Sequence, residues 1–252
     1  MVRLLCLPAL LLAALIARGE TVDPPFRAGE VLEYELFWSF VPVGSAQLTV
    51  HGLEEIEGET AWHFSFEART NAFADAFFKV RTRLDSWVSE DLRRTLYYRE
   101  KKREGPTRRD AEIVFDWEAG TATYRNEGKA KEPLELPEAG VLDPVGAVYA
   151  FRADRPGPEG AYPLRVTDGQ KIVPLTVTVK GVEEERVPAG SFRTLVIEPA
   201  TGSLGGVFEK SEDSAVFLWV QGGQSFAPVQ VQGEVVVGSF WAKLRRLRPG
   251  PA

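Results

Sequence analysis

Histidine, the usual general base and metal ligand near neutral pH, occurs twice in this chain, as His51 and His63. Both fall on the polar faces of predicted strands. No acid or nucleophile is spaced to complete a triad or zinc site with either, so they read as isolated surface residues. No Gly-x-Ser-x-Gly elbow is present, and Ser45, Ser191 and Ser239 therefore lack the strand–turn–helix setting of that motif. Gly202-x-x-Gly205-Gly206 has no following helix to hold a phosphate and reads as a loop. Carboxylates cluster at Glu54, Glu55, Glu57 and Glu59, and again at Glu183, Glu184 and Glu185. Glycoside hydrolysis needs two carboxyl groups facing one another across roughly 5–10 Å, whereas these clusters fall at predicted hairpin ends and read as solvent coat. These residue types predict no catalytic centre, no metal and no cofactor, and so a protein that is not an enzyme.

Two other groups of residues could bind rather than catalyse. Residues 79–109 hold eleven Lys or Arg against five acids in a chain of formal charge −6. Lys79, Arg81 and Arg83 alternate along one predicted strand, and Arg99 and Lys101 along another. On adjacent strands these rows would form a positive face. Such rows either keep a sheet surface soluble and blunt its edge, or contact an anionic surface such as lipid head groups or envelope polymers. The second group is Tyr34, Trp38, Trp62, Tyr149 and Arg152, whose positions suit ligand or structural contact inside a curved sheet. Arg152 is the one charge on an otherwise apolar helical stripe, and there it needs a carboxylate partner or an anionic ligand. The net acidic balance argues against general nucleic-acid binding, which needs basic surface.

The elements that must position these residues are nearly all strands. Leu32, Tyr34, Leu36 and Trp38 alternate with polar residues; so do Trp62, Phe64, Phe66 and Ala68, then Phe78, Val80, Thr82 and Leu84, then Val173, Leu175, Val177 and Val179. Tyr34, Trp38, Trp62, Phe64, Phe66 and Phe78 are expected to point inward. Further strands are expected over 43–51, 94–103, 110–117, 120–125, 161–167, 191–198, 214–220 and 228–245. Glu57-Gly58, Asn126-Glu127-Gly128, Asp168-Gly169 and Gln221-Gly222-Gly223 punctuate them as turns. Gly-Ser pairs at 44–45, 190–191 and 238–239 read as bulges or bends of a curved sheet. One segment breaks the period: Asp143 suits an N-cap, Pro144 the first helical turn, and Val145, Val148, Tyr149 and Arg152 follow at helical spacing. The expectation is an all-β, mainly antiparallel fold. It is one strongly curved sheet or partly closed barrel of roughly a dozen strands, with a single short helix at about 143–153 packed against it.

The N-terminus reads as an export signal. Arg3 supplies the positive start and fourteen apolar residues, 4–17, follow it. That run is shorter than the roughly 20 residues of a membrane-spanning helix. Ala17 and Gly19 are the small residues a signal peptidase reads, so cleavage is expected before Glu20. Residues 1–19 are then a cleavable signal peptide and 20–252 one β-rich domain, periplasmic or otherwise exported. Cleavage would remove Arg3, Arg18 and the single cysteine, Cys6. Disulfides, thiol catalysis and zinc–thiolate sites are thereby excluded for the mature chain.

Phe26-x-x-Gly29-Glu30-x-Leu32-x-Tyr34, followed by Val43-Gly44, resembles the opening of the family known as domain of unknown function 3108. Leu142-Asp143-Pro144, with Tyr149 and Arg152 after it, resembles that family's central motif. Gly190-x-Phe192-x-Thr194, Glu198-Pro199, Leu218-Trp219 and Pro228-Val229 are similar to its C-terminal half. The chain departs from the pattern at Gln221 to Ala227, where Gly222, Gly223 and Phe226 stand in place of an acidic turn and a basic residue. The resemblance implies an exported bacterial β-rich protein without an established activity. Three functions stay open: a module that binds or carries a lipid or other apolar small molecule between sheet and helix, a structural or protein-interaction module of the envelope, and a periplasmic hydrolase.

Overall fold

The period-two pattern governs burial as well as backbone. Along β1 (Val31–Trp38), Leu32, Tyr34 and Leu36 are buried while the residues between them are half-buried. The computed structural model describes residues 23–200, 216–223, 225–234 and 238–251. The expected signal peptide, residues 1–19, and the 202–206 glycines lie outside these. β1 leads into an antiparallel meander of β2 (Val41–Ile56), β3 (Glu59–Thr70), β4 (Val80–Ser89), β5 (Thr95–Glu104), β6 (Thr107–Asp116) and β7 (Thr121–Asn126). The two-residue strands β8 (Lys129–Ala130) and β9 (Leu134–Glu135) both pair with β7. A second meander runs through β10 (Gly160–Thr167), β11 (Ile172–Val187), β12 (Gly190–Pro199), β13 (Val216–Gln221), β14 (Pro228–Glu234) and β15 (Ser239–Arg248). β15 pairs with β1, so the two meanders form one antiparallel sheet.

The described residues thus hold fifteen strands rather than a dozen. The apolar stretch 228–245 divides into β14 and β15, and β8 and β9 occupy a segment where alternation predicts no strand. A second helix is also present, the single turn α1 (Ala72–Asp75), capped by Asn71 Oδ1 accepting from the Ala74 amide at 2.9 Å. Glycine acts as expected at Gly44: the ladder skips Val43 opposite Leu36 and Phe37, and a Cβ at Gly44 would lie 2.2 Å from the Arg69 carbonyl oxygen.

The sheet does not close. β10 ends it on one side and β7, with β8 and β9, on the other. Residues 141 and 142 lie in the seam: the Thr95 amide donates to the Val141 carbonyl, the Leu142 amide to Arg165 and the Thr167 amide to Leu142, each at 2.9 Å.

From this seam the chain enters α2 (Pro144–Ala153). Asp143 is wholly buried and caps it, one carboxylate oxygen accepting from the Val145 and Gly146 amides at 2.8 and 3.1 Å. The other accepts from the Ser86 and Thr95 hydroxyls. Burial pushes this carboxyl above its usual range, and those hydrogen bonds oppose the push. Gly146 permits the close approach, because a Cβ there would stand 2.9 Å from both Asp143 Oδ2 and Val88 Cγ2. Helix propensity favours alanine by about 1 kcal/mol, yet here packing decides for glycine.

At the other end of α2, Arg152 and Glu30 form an ion pair with side chains 1% and 5% exposed. Arg152 Nη1 and Nη2 donate to the two Glu30 oxygens at 2.7 and 3.1 Å, and Nε and Nη2 to the Ser225 carbonyl at 3.2 and 3.0 Å. The guanidinium also lies over the Phe26 and Tyr149 rings. Removing one partner of a buried pair leaves an uncompensated charge, at a cost of about 3–5 kcal/mol. Arg152→Met and Glu30→Gln are each expected to lose stability on that scale in urea unfolding. The double variant should lose clearly less than the sum; strict additivity would show that the pair is not coupled.

Candidate functional site

Between α2 and the inner face of the sheet lies a cavity of about 1070 Å³. Its walls are aliphatic and aromatic: Val148 and Phe151 from α2 face Leu175, Val177, Ile197 and Val220 from three strands of the second meander. Polar groups gather toward the end away from the N-terminus of α2. There Glu100, 5% exposed, is held by Lys102 at 2.7 Å and Arg109 at 3.2 Å. Tyr98 donates to the same carboxylate, and burial together with that charge pushes its hydroxyl pKa well up. Beyond them a second, charged hollow of about 1190 Å³ shares Lys102 and Arg109 and continues to Arg81, Arg103 and Arg108. The interior is therefore apolar beside the helix and polar toward its mouth.

The residues singled out for contact separate in the structure. Arg152 lines the cavity, but its donors are engaged with Glu30 and Ser225. Tyr149 is wholly buried and stacks on Phe64 at 3.8 Å. Tyr34 donates to the Pro228 carbonyl at 2.8 Å, and burial raises its pKa. Trp62 packs edge-on against Phe26. Trp38 and Phe78, expected to point inward, are 52% and 53% exposed, because β1 runs past the core at its end and Phe78 precedes the start of β4. The departing turn at 221–227 has a structural role of its own, since Ser225 receives Arg152 and Phe226 is buried.

The basic rows do lie side by side, with Arg83 opposite Lys101 and Asp85 opposite Arg99. Carboxylates interleave with them. Arg81 pairs with Asp75, which it holds at about 2. Arg83 pairs with Glu67 and Asp85, and Arg99 and Lys101 approach Asp110 at 3.5 and 3.7 Å. Lys79 has no carboxylate partner among the described residues.

The histidines are not isolated, which corrects the reading from spacing alone. A bulge between Val50 and Gly52 turns His51 out of the ladder beside His63, and their rings stack at 4.2 Å. Trp87 stacks on the other face of His63, also at 4.2 Å, with Tyr97 beyond it. His51 Nε2 lies 2.8 Å from Ser65 Oγ. His63 Nδ1 lies 3.0 Å from Glu54 Oε1 and its Nε2 3.2 Å from Asp85 Oδ1. The signal for this was the Glu57-Gly58 turn, whose register sets His63 opposite Gly52. The potential ligand atoms of His51, His63 and Asp85 lie within 4.8 Å of one another, a donor set of the kind zinc uses. Arg83, however, already donates twice to Asp85, at 2.8 and 2.7 Å. A neutral imidazole has one donor, so contact with both carboxylates favours the protonated ring.

Burial pulls His63 down, but its hydrogen bonds to Asp85 and Glu54 outweigh this and hold its pKa above 6.5. The bonds from His63 and Arg83 likewise hold Asp85 at about 2 against the upward push of burial. Burial and the charge of His63 lower His51. Folded His63 thus binds its proton more tightly than the unfolded chain does. Its contribution to stability is complete below about pH 6.5 and is lost as pH rises through the raised folded value. In a His51→Gln background, which removes the opposing titration, His63→Gln should flatten the decline of unfolding free energy above about pH 6.5. An unchanged decline would place the charge elsewhere.

No curated protein matches this chain. Among solved structures, a β-barrel-like protein of domain of unknown function DUF1849 from Brucella abortus is similar at a TM-score of 0.51 and 11% identity, over 90% of this chain and 100% of that one. At that identity the likeness is one of fold. A candidate exported protein with a YmcC-like fold from Bacteroides fragilis aligns at a TM-score of 0.37 and 11% identity, over 89% of this chain and 97% of its own. A candidate lipoprotein from Parabacteroides distasonis aligns at 0.36 and 10%, over 89% and 98%. The family model described as protein of unknown function DUF3108 matches residues 33–245, from β1 through β15, and the chain belongs to that family.

Proposed function

We propose that this protein is an exported, non-enzymatic binding or carrier module that holds an apolar, lipid-like ligand between its curved sheet and α2. The observation that carries this reading is the cavity. Its volume of about 1070 Å³ stands at the upper end of small-molecule sites, roughly 300–1,000 Å³. An aliphatic wall suits acyl or isoprenoid chains, for which burial is worth about 0.8 kcal/mol per methylene. At the mouth, Lys102, Arg109 and Lys171 stand among Glu100, Glu104 and Asp168, which suits a polar head. The N-terminal apolar segment supports export.

Val148 faces the cavity from α2 and is only half-buried, so a larger side chain there fills space without displacing the core. Native mass spectrometry of the wild-type protein from the exported fraction is expected to show a co-purifying lipid mass. Val148→Trp should reduce that adduct by about tenfold or more, the loss of roughly 1.4 kcal/mol, with no fall in thermal stability. A bare wild-type mass would count against the reading.

A further inference from the structure

Six of the eight large apolar side chains that the described residues expose lie at one end of the sheet: Trp38 (52%), Phe40 (88%), Phe73 (61%), Phe77 (79%), Phe78 (53%) and Phe240 (38%). They come from neighbouring connections. Trp38 is opposite Phe240 in the β1–β15 ladder, and the Ser39 amide donates to the Ser239 carbonyl at 2.6 Å. Asn71 ties α1 to the tip of the β1–β2 hairpin through Val43 and Pro42, each bond at 2.8 Å. Phe73 and Phe77 meet edge to face at 5.5 Å. The Phe78 ring lies against Gly105 in the β5–β6 turn, whose amide donates to the Lys79 carbonyl. Hairpin tips are ordinarily polar, and a cluster of exposed aromatics on neighbouring tips marks a contact surface.

The charges beside these rings identify the surface it meets. Arg69, Lys79, Arg103 and Arg108 border them and have no carboxylate partner among the described residues, against Glu104 and Glu127 without a cation there. This local balance is positive in a chain whose formal charge is −6. Aromatic rings beside unpaired cations are the composition of a bilayer interface: rings enter the boundary between head groups and acyl chains, and cations meet phosphates. The rings stand on several separate connections rather than along one strand edge, an arrangement suited to a broad surface rather than to a single extended peptide.

We infer that this end of the protein docks on an anionic lipid bilayer, through Phe40, Phe73 and Phe77 at its tips and Lys79, Arg103 and Arg108 beside them. The charged hollow opens at the same end, its rim including Arg103 and Arg108. Docking would therefore set the interior against the membrane; that consequence rests on the carrier reading, while docking itself does not.

The test is flotation of the full exported chain with vesicles of phosphatidylcholine alone and of phosphatidylcholine mixed with phosphatidylglycerol. Binding is expected to the mixed vesicles, weakening as salt rises. Phe40→Asp with Phe77→Asp should lower it at least tenfold, as should Lys79→Glu with Arg103→Glu, each basic side chain near such a surface being worth about fivefold. Leu53→Asp with Val182→Asp, the other two large apolar side chains that the described residues expose, should leave it unchanged. The milder Phe40→Ser with Phe77→Ser serves if the aspartates lower thermal stability. Absence of wild-type binding, or binding that the phenylalanine variants leave intact, would overturn the inference. So would a concentration-dependent doubling of mass that those variants abolish, which would assign the face to a second copy. Val148→Trp should float like the wild type, so failure of the carrier reading is distinguishable from failure of docking.

Discussion

Three distant parts of the chain converge on the Arg152 guanidinium. It joins a helix, the chain segment before β1 and the turn between β13 and β14, three parts with no backbone ladder in common. Burying an arginine is unfavourable unless its donors are satisfied, and here four hydrogen bonds and two aromatic faces satisfy them. Because those partners come from distant points of the chain, the charge acts as a check on assembly. The helix can enter the interior in only one register without stranding it. Asp143 performs the same task at the helix's other end, so α2 is fixed by polar groups at both termini and by apolar contacts only between them.

The face of each strand was legible from alternation, because burial on one side of a pleated sheet imposes period two. The helix start was equally legible, since Asp143-Pro144 combines an N-cap with a residue suited to the first turn. What alternation does not carry is where a strand outruns the core. Trp38 keeps the phase of Leu32, Tyr34 and Leu36 yet stands at the rim, and Phe78 falls outside its strand altogether. Nor could spacing pair Arg152 with Glu30, which lies 122 residues away; the need for a partner was readable, its identity was not. The histidine stack was hidden for a different reason. A bulge alters which residues are neighbours across a hairpin, and that shift appears in the sequence only as a glycine.

The two faces of the first meander handle charge in opposite ways. On the outer face, cations and carboxylates alternate across β3 to β6, so that a segment rich in Arg and Lys becomes a lattice of exposed pairs, each worth little to stability. On the inner face two polar groups interrupt apolar packing: Ser86 and Thr95 around Asp143, and Glu100 with its cations. The same strands therefore present water with a mosaic of paired charges and the interior with two separate polar clusters, one at the start of α2 and one at the mouth.

The seam left between β10 and β7 gives this interior a property that a continuous ring of strands lacks. A closed barrel has a circumference set by strand number and shear, and widening it means breaking ladder bonds. Here the circumference at the seam is set by two residues, 141 and 142, and by side-chain packing. Widening the molecule there breaks only the three backbone hydrogen bonds of residues 141 and 142, to Thr95 on β5 and to Arg165 and Thr167 on β10, rather than a whole ladder. A span tied by so few bonds is the most compliant part of the sheet.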